Sequence, residues 1–197
     1  KELVFEYTWK WNSVAIVSDG SRVLGLGNIG PEAALPVMEG KALLLNVFAG
    51  IDAIPICLAT QEADKIVEVV KAIAPTFGGI NIEDIDSPRW FEVVEALEKQ
   101  LDIPVFHDDQ HGTGVIVLAA LVNALKVVGK KQEQARIAVI GAGAAGVGVI
   151  KILRLAGIKN IVVTDSQGII HSSRNDVKCT YKQWIAENTN PQSTSGG

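Results

Sequence analysis

One stretch of the chain places a strand, a glycine-rich turn and a helix in a fixed order. The apolar run RIAVI (136–140) predicts a strand, GAGAAG (141–146) follows as a turn, and helical sequence continues to about Leu155. The run NIVVTD (160–165) predicts a second strand, which ends in Asp165. This order predicts the βαβ unit of a parallel sheet, in which the glycine turn receives a dinucleotide.

The turn has the pattern G-x-G-x-x-G at Gly141, Gly143 and Gly146. Glycines at these positions allow a tight turn and let a pyrophosphate approach the helix N-terminus. An acid at the position of Asp165 would accept a hydrogen bond from a ribose 2′-hydroxyl, which favours NAD over NADP. Basic residues nearby could still accommodate a 2′-phosphate. A turn that serves only close helix–strand packing is the alternative interpretation.

The same alternation runs through the rest of the chain. Further strands are predicted at 14–19, 53–59, 78–82 and 104–107. Helical segments separate them, so we expect an α/β fold with a parallel sheet and helices on both faces. The polar segment KKQEQ (130–134) is the expected domain boundary. The run 115–128 predicts a buried helix, and the sequence after Arg174 predicts a disordered or cut end.

Two acidic doublets follow two of these strands. Glu83 and Asp84 come after GGINI, and Asp108 and Asp109 come after PVFH. Ligands of open parallel sheets bind beyond the carboxyl ends of the strands, where both doublets are expected. Carboxylate oxygens suit Mg²⁺ or Mn²⁺, so the doublets predict a site for a hard divalent cation. Helix caps and solvated loop acids are the alternative interpretation.

A lysine and another glycine-rich loop lie nearer the N-terminus. The loop VLGLGNIG (23–30) has enough glycine to bring backbone amides close to a ligand, although a surface turn fits its composition equally well. Lys41 leads directly into the apolar run ALLL. A lysine desolvated beside a cation could act as a general base, whereas an ordinary lysine would extend to solvent.

Composition limits the class of partner. The net charge is −4 and no basic run occurs, which excludes a nucleic-acid footprint. The charged, aromatic N-terminus does not look like a signal peptide, and no run was long enough to predict a membrane span. Cys57 and Cys179 lie far apart, so we expect free thiols and a reducing, cytoplasmic location.

Four segments together resemble the malic enzymes in their shorter prokaryotic form. They are SDGSRVLGLGNIGPEAALPVMEGKALL (18–44), APTFGGINIEDI (74–85), IPVFHDDQHGTG (103–114) and VIGAGAAG (139–146). The resemblance implies a partial substrate and metal domain over residues 1–130 and the first part of a Rossmann-like NAD(P)-binding domain over 131–197. It also implies oxidative decarboxylation of malate to pyruvate and CO₂, with NAD or NADP and with Mg²⁺ or Mn²⁺.

The resemblance further implies a role for each motif residue. The general base falls on Lys41, with Asp108 as its partner, and the metal ligands fall on Glu83, Asp84 and Asp109. The cofactor contacts fall on Gly25, Gly27, Asn28, Gly30, Gly141, Ala142, Gly143, Ala144, Ala145, Gly146 and Asp165. Family members form dimers or larger assemblies, so a homo-oligomer is expected.

The family's proton-donating tyrosine belongs to a motif that these 197 residues do not contain, and Tyr7 is not assigned that role. We therefore expect the isolated chain to form little or no NAD(P)H from malate. Two alternatives remain open: a metal-free NAD-dependent 2-hydroxy-acid dehydrogenase, and a non-catalytic fragment that keeps cofactor or metal affinity. Chelation of metal during turnover separates the first alternative from a malic enzyme.

Overall fold

The structure is a computed structural model that describes residues 2–177 and 179–196 and divides the chain into two compact units, 1–108 and 109–197. The helices of the first unit span Leu3–Tyr7 (α1), Gly30–Ala49 (α2), Ala63–Ile73 (α3) and Arg89–Gln100 (α4). Its strands span Ser13–Ser18 (β1), Asp52–Cys57 (β2), Gly79–Ile82 (β3) and Val105–His107 (β4).

The second unit has its own helices and strands. The helices span Thr113–Val127 (α5), Ala144–Leu155 (α6) and Thr180–Asn188 (α7). The strands span Ile137–Ile140 (β5), Ile161–Asp165 (β6) and Gly168–Ile169 (β7). The predicted α/β architecture is confirmed, and each predicted strand lies within two residues of its expected bounds.

The first unit is built on a four-stranded parallel sheet in the order β2-β1-β3-β4. Because parallel crossovers are right-handed, α2 covers one face, and α3 and α4 cover the other. The apolar core includes Ile16 and Ile82 from the central strands and Trp90 from α4, all at most 1% exposed. Parallel strands bring their carboxyl ends to one edge of the sheet, and the acidic doublets follow the strands there.

Lys10, which precedes β1, is buried, with 6% of its surface exposed. Its Nζ donates hydrogen bonds to the carbonyl oxygens of Ala74 at 3.0 Å, Pro75 at 3.0 Å and Phe77 at 2.5 Å. Burial lowers the pKa of Lys10, but three acceptors match the three N–H groups of an ammonium ion. Lys10 therefore holds the turn between α3 and β3 in place.

Lys10→Met should lower the free energy of unfolding by about 1–3 kcal/mol, because it leaves buried carbonyls without a donor. Urea unfolding of the purified chain measures this loss. Lys99→Met is the matched control, since the Lys99 side chain is 70% exposed, and its effect should stay within about 0.5 kcal/mol. Equal losses in the two variants would contradict the role given to Lys10.

The second unit contains the predicted βαβ arrangement, with β5 and β6 parallel and the short β7 antiparallel to β6. The prediction of disorder after Arg174 is wrong over 180–188, where α7 forms. Tyr181 and Ile185 of α7 are buried. Together with Trp184 they occupy positions i, i+3 and i+4, which is one face of a helix.

The prediction that residues 115–128 form a buried helix is correct about the helix and wrong about its burial. Gly114 is the buried residue of α5, and its position faces Gly148 of α6. Val115 is 55% and Ile116 70% exposed, because α6 contacts one side of α5. By length and composition alone, Asp108–Val127 could cross a membrane, a test that core helices of soluble proteins also pass.

The division of the chain into two compact units falls between residues 108 and 109, whereas the sequence predicts a boundary at 130–134. The physical reason is the packing of α5 against α6, which joins residues 113–127 to the second unit. The polar segment is instead an internal connection of that unit, and part of it forms a short 3₁₀ helix over Gln132–Gln134.

Candidate active site

A lysine lies between two carboxylates at the carboxyl edge of the first sheet. Ile82 and His107 are paired in register on β3 and β4, so the residues that follow them, Glu83 and Asp108, come side by side. Lys41, from the middle of α2, places its Nζ 2.7 Å from Glu83 Oε1 and 2.5 Å from Asp108 Oδ2. The structure thus brings together the predicted base and its predicted partner.

The two carboxylates differ in exposure. The side chain of Glu83 is 9% exposed and that of Asp108 is 44% exposed, while Lys41 is 23% exposed. Burial raises the pKa of Glu83, and the hydrogen bond from Lys41 only partly offsets this. Burial by itself lowers the pKa of Lys41, but hydrogen bonds to Asp108 and Glu83 outweigh it and raise the pKa. Lys41 is therefore held here as an ammonium ion.

Asn81 orients Glu83 and was not among the predicted site residues. Its Nδ2 donates to Glu83 Oε1 at 3.0 Å, and the residue is 3% exposed. The sequence did carry a signal, because Asn81 is the one polar residue in the strand GINI. A buried amide in a central strand needs a partner, and here that partner is the carboxylate that holds Lys41.

The backbone at Asp84 has an uncommon conformation. Its φ is +52°, a left-handed value that few non-glycine residues adopt and that clusters at functional sites. The Asp84 carbonyl accepts a hydrogen bond from the backbone N–H of Arg22 at 2.9 Å. This hydrogen bond holds the start of the glycine loop over residues 23–30 near the end of β3. The side chain of Arg22 is exposed and adds a positive charge there.

A second cluster, also not predicted, supports the same edge. The Arg89 Nη2 lies 2.5 Å from Asp86 Oδ1 and 3.6 Å from Oδ2 of the fully buried Asp19. Arg89 also donates to the backbone carbonyl of Gln61. The backbone N–H of Asp86 donates to the Ser21 hydroxyl at 2.9 Å. These contacts connect the loops that follow β1, β2 and β3.

The donor chemistry of the doublets fits a hard divalent cation, because every predicted ligand offers carboxylate oxygens. Glu83 and Asp84 lie together in the first unit, and Asp109 is the first residue of the second unit, with an exposed side chain. Over residues 2–177 and 179–196, no group of three or more His, Cys, Asp or Glu is arranged to hold a metal ion. The ligand set therefore stays a prediction.

The glycine loop over residues 23–30 is held by local backbone hydrogen bonds. Val23 and Gly27 exchange backbone hydrogen bonds at 2.9 Å, and the N–H groups of Ile29 and Gly30 donate to Gly20 O. Gly25, Gly27 and Gly30 have φ values of +77°, +77° and +78°, which glycine adopts without strain. Asn28 exchanges side-chain hydrogen bonds with Gln61. These contacts account for the turn, and its predicted contact with a cofactor stays a prediction.

The glycine turn over residues 141–146 leaves open space beside Gly141 and Gly143. A Cβ at Gly146 would lie 2.2 Å from Gly141 O, so Gly146 allows α6 to approach the strand. A Cβ at Gly141 or Gly143 would meet no heavy atom within 4 Å. The φ of Gly141, +104°, requires glycine, but Gly143, at −84°, has no steric reason to be glycine. Close helix–strand packing therefore explains Gly146, and the pyrophosphate approach predicted for Gly141 and Gly143 stays a prediction.

The remaining turn residues surround the N-terminus of α6. Ala144 is its first residue and Gly143 its N-cap, with no side-chain cap on the first amides. Ala142 is buried, whereas Ala145 is exposed. A helix N-terminus with free amides attracts an anion such as a pyrophosphate.

Asp165 ends β6 at the position predicted for ribose recognition. Its carboxylate pairs with Arg174 at 2.9 Å and with Lys182 at 2.7 Å, and 8% of the side chain is exposed. Burial raises the pKa of Asp165, but hydrogen bonds from Arg174 and Lys182 outweigh it and hold the pKa well below its ordinary value. No sequence pattern indicated the two basic partners.

The lowered pKa predicts a dependence of stability on pH. Ionised Asp165 stabilises the folded state above about pH 4, its ordinary pKa, and this stabilisation is lost as pH falls through the folded-state pKa. Urea unfolding from pH 7 down to about pH 3 should show a loss in the unchanged chain. Asp165→Asn should lack that component, so an identical pH profile in the variant would contradict the assignment.

The first unit carries an ion-paired lysine at the edge of its parallel sheet, and the second unit carries a dinucleotide-type turn. These two features are typical of NAD(P)-dependent oxidoreductases that act by acid–base chemistry. A family model described as malic enzyme, N-terminal domain, matches residues 1–98, and one described as malic enzyme, NAD binding domain, matches residues 110–196. The chain belongs to the malic enzyme family.

Individual relatives support this family assignment. The NAD-dependent malic enzyme of Geobacillus stearothermophilus is 55% identical over 98% of this chain and 40% of its own length. The NADP-dependent malic enzyme of Halomonas elongata is 47% identical over 95% of this chain and 45% of its own length. The crystal structure of malic enzyme from Pyrococcus horikoshii OT3 superimposes with a TM-score of 0.93 at 54% identity, covering 100% of this chain and 47% of that one.

The chain therefore spans less than half the length of these relatives. The matched portion contains Lys41, both acidic doublets and the glycine turn.

Proposed function

We propose that the protein to which this chain belongs converts malate to pyruvate and CO₂ while reducing NAD or NADP, with a divalent cation. The observation that carries the proposal is the position of Lys41 between Glu83 and Asp108 at the carboxyl edge of the sheet. Family membership supports the reaction, and relatives named for NAD and for NADP support either nucleotide.

In the proposed reaction Lys41 accepts the proton of the C2 hydroxyl as hydride leaves that carbon. Lys41 must first lose the proton it holds here, and Asp108 offers the route because its carboxylate is 44% exposed. Glu83, oriented by Asn81, holds the Nζ of Lys41 at 2.7 Å. The positive charge of Arg22 suits a carboxylate of the substrate.

Two bound groups supply chemistry that side chains lack. When bound, the nicotinamide takes up the hydride, and a cation of the Mg²⁺ or Mn²⁺ type polarises the C2 oxygen and stabilises the charge that develops on loss of CO₂. We propose Glu83, Asp84 and Asp109 as its ligands and the turn over 141–146 as the pyrophosphate site.

The test is malate-dependent NAD(P)H formation, with pyruvate measured, in a protein extended to the length of its relatives. Turnover that stops with a chelator and returns with Mn²⁺ supports the proposal. Oxaloacetate as the accumulating product would contradict decarboxylation. The 197-residue chain alone should form little or no NAD(P)H, and robust turnover by it would overturn that expectation.

The metal-free 2-hydroxy-acid dehydrogenase is the second candidate. One observation supports it: Lys41 contacts both Glu83 and Asp108, so the two carboxylates have a partner without a metal. Under this reading Glu83 and Asp108 serve only to orient Lys41. Turnover that survives chelation would select this candidate over the first.

We further propose a cytoplasmic location and assembly into a homo-oligomer. Cys57 and Cys179 are free thiols, which is typical of a reducing compartment. Apolar side chains exposed on α2, among them Leu43 and Phe48, support association with another surface. Light scattering of the full-length protein would measure its oligomeric state.

A further inference from the structure

The carboxylate at the end of β6 is enclosed by donors. Asp165 Oδ1 accepts from the backbone N–H of Gln167 at 2.9 Å and from Arg174 Nη1 at 2.9 Å. Its Oδ2 accepts from Arg174 Nη2 at 3.2 Å and from Lys182 Nζ at 2.7 Å. A carboxylate has about four lone-pair sites, so a ribose hydroxyl would meet acceptors that are already occupied.

All three nitrogens of the Arg174 guanidinium donate hydrogen bonds. Its Nη1 also contacts the carbonyls of Gly168 at 3.2 Å and Ile169 at 3.3 Å. Its outer edge pairs with Asp176, through Nε to Oδ1 at 2.9 Å and through Nη2 to Oδ2. The side chain of Asp176 is 50% exposed, so this outer pair faces solvent, while the pair with Asp165 is shielded.

A guanidinium edge that binds a carboxylate in this forked way can bind a phosphate in the same geometry. In a dinucleotide fold, the acid after the second strand lies beside the ribose 2′ position. Arg174 is attached to that acid, which places its outer edge near any 2′-substituent. A 2′-phosphate could reach this edge only by displacing Asp176.

This inference rests on the proposed dinucleotide function. We propose that Arg174 and Asp176 determine the preference between NAD and NADP. Arg174 removes Asp165 from ribose recognition, and Asp176 competes with a 2′-phosphate for the outer edge of Arg174.

The local charge explains why Asp176 controls the balance. Asp165 and Asp176 contribute two negative charges, and Arg174 and Lys182 contribute two positive ones. The cluster is neutral, so it offers a 2′-phosphate no net attraction. Removing the charge of Asp176 leaves one positive charge and an unoccupied guanidinium edge.

The test uses a protein extended to the length of its relatives and measures the dissociation constants of NADH and NADPH by fluorescence titration. Asp176→Asn should tighten NADPH relative to NADH by about tenfold, because it frees a charged donor pair for a phosphate. Arg174→Gln should change the ratio in the opposite direction, because Asp165 becomes available to the 2′-hydroxyl. The gain in the first variant should shrink as salt is added.

Asp102→Asn is the charge-matched control, since Asp102 is exposed and belongs to the first unit. Its ratio of dissociation constants should equal that of the unchanged chain. If Arg174→Gln does not fold, the exposed substitution Asp176→Asn decides by itself.

A merely structural role for the cluster would weaken both nucleotides equally, and that result would overturn the inference. Binding of both nucleotides with an unaltered ratio in Asp176→Asn would overturn it while leaving the dinucleotide site intact. If neither nucleotide binds the extended protein without substitutions, the dinucleotide site itself is contradicted and the inference is overturned with it.

Discussion

Lys41→Met should lower kcat for malate oxidation by about 10²–10⁴-fold in a protein extended to the length of its relatives. The substitution keeps the length and apolar character of the side chain but removes the group that accepts the C2 hydroxyl proton. Initial rates of NAD(P)H formation at saturating malate measure the loss. A kcat within threefold of the unchanged protein would exclude Lys41 as the base.

Lys41→Arg separates the base from the ion pair. Arginine preserves a positive charge between Glu83 and Asp108, but it does not deprotonate at accessible pH. If Lys41 is the base, kcat should fall in Lys41→Arg almost as far as in Lys41→Met, while the folded state is better preserved. Recovery of most of the activity with arginine would show that the charge alone is needed. Lys99→Met, on the exposed face of α4, controls for loss of a lysine charge.

The meeting of Lys41 with Glu83 and Asp108 could be predicted only in part. Apolar runs that end in acids correctly located the carboxyl edge of the sheet, because parallel strands have a fixed polarity. The distance between Glu83 and Asp108 depends on the register of Ile82 against His107, which no local pattern specifies. The partnership of Lys41 with Asp108 came from family resemblance, since 67 residues separate them.

The surroundings of Asp165 show a different limit of prediction from sequence. Asp165 was predictable because it ends an apolar strand at a characteristic distance from the glycine turn. Arg174 reaches it from a turn nine residues later, and Lys182 reaches it from α7. Side chains on irregular segments carry no periodicity that would indicate their direction. The preference for NAD inferred from Asp165 alone therefore omitted the groups that neutralise it.

Burial was the least predictable property. The apolar run that forms α5 has the composition of a core helix, but composition does not specify which surfaces cover it. The helix α7 was not predicted, because most of its residues are polar. Only Tyr181, Trp184 and Ile185 form an apolar stripe along it. Helix existence follows from local sequence, whereas burial follows from neighbours.

Gly148→Ala should destabilise the second unit by about 2 kcal/mol or more, because the turn before α5 approaches α6 too closely there for a side chain. A Cβ at Gly148 would lie 2.0 Å from Gln110 O, which belongs to the backbone and cannot rotate away. The facing Gly114 would place its own Cβ 3.1 Å from Gly148 O. Alanine is favoured over glycine inside a helix by about 1 kcal/mol, so the clash must exceed that gain.

Hydrogen exchange measured by mass spectrometry should show the effect locally, as lost protection of amides in α5 and α6. Gly40→Ala is the matched control, because Gly40 lies inside α2 and a Cβ there meets nothing within 4 Å. That control should leave exchange unchanged or slow it. Since α6 also carries the glycine turn at its N-terminus, Gly148→Ala should weaken NADH binding along with stability. Unchanged protection of both helices would show that the close approach contributes nothing to the second unit.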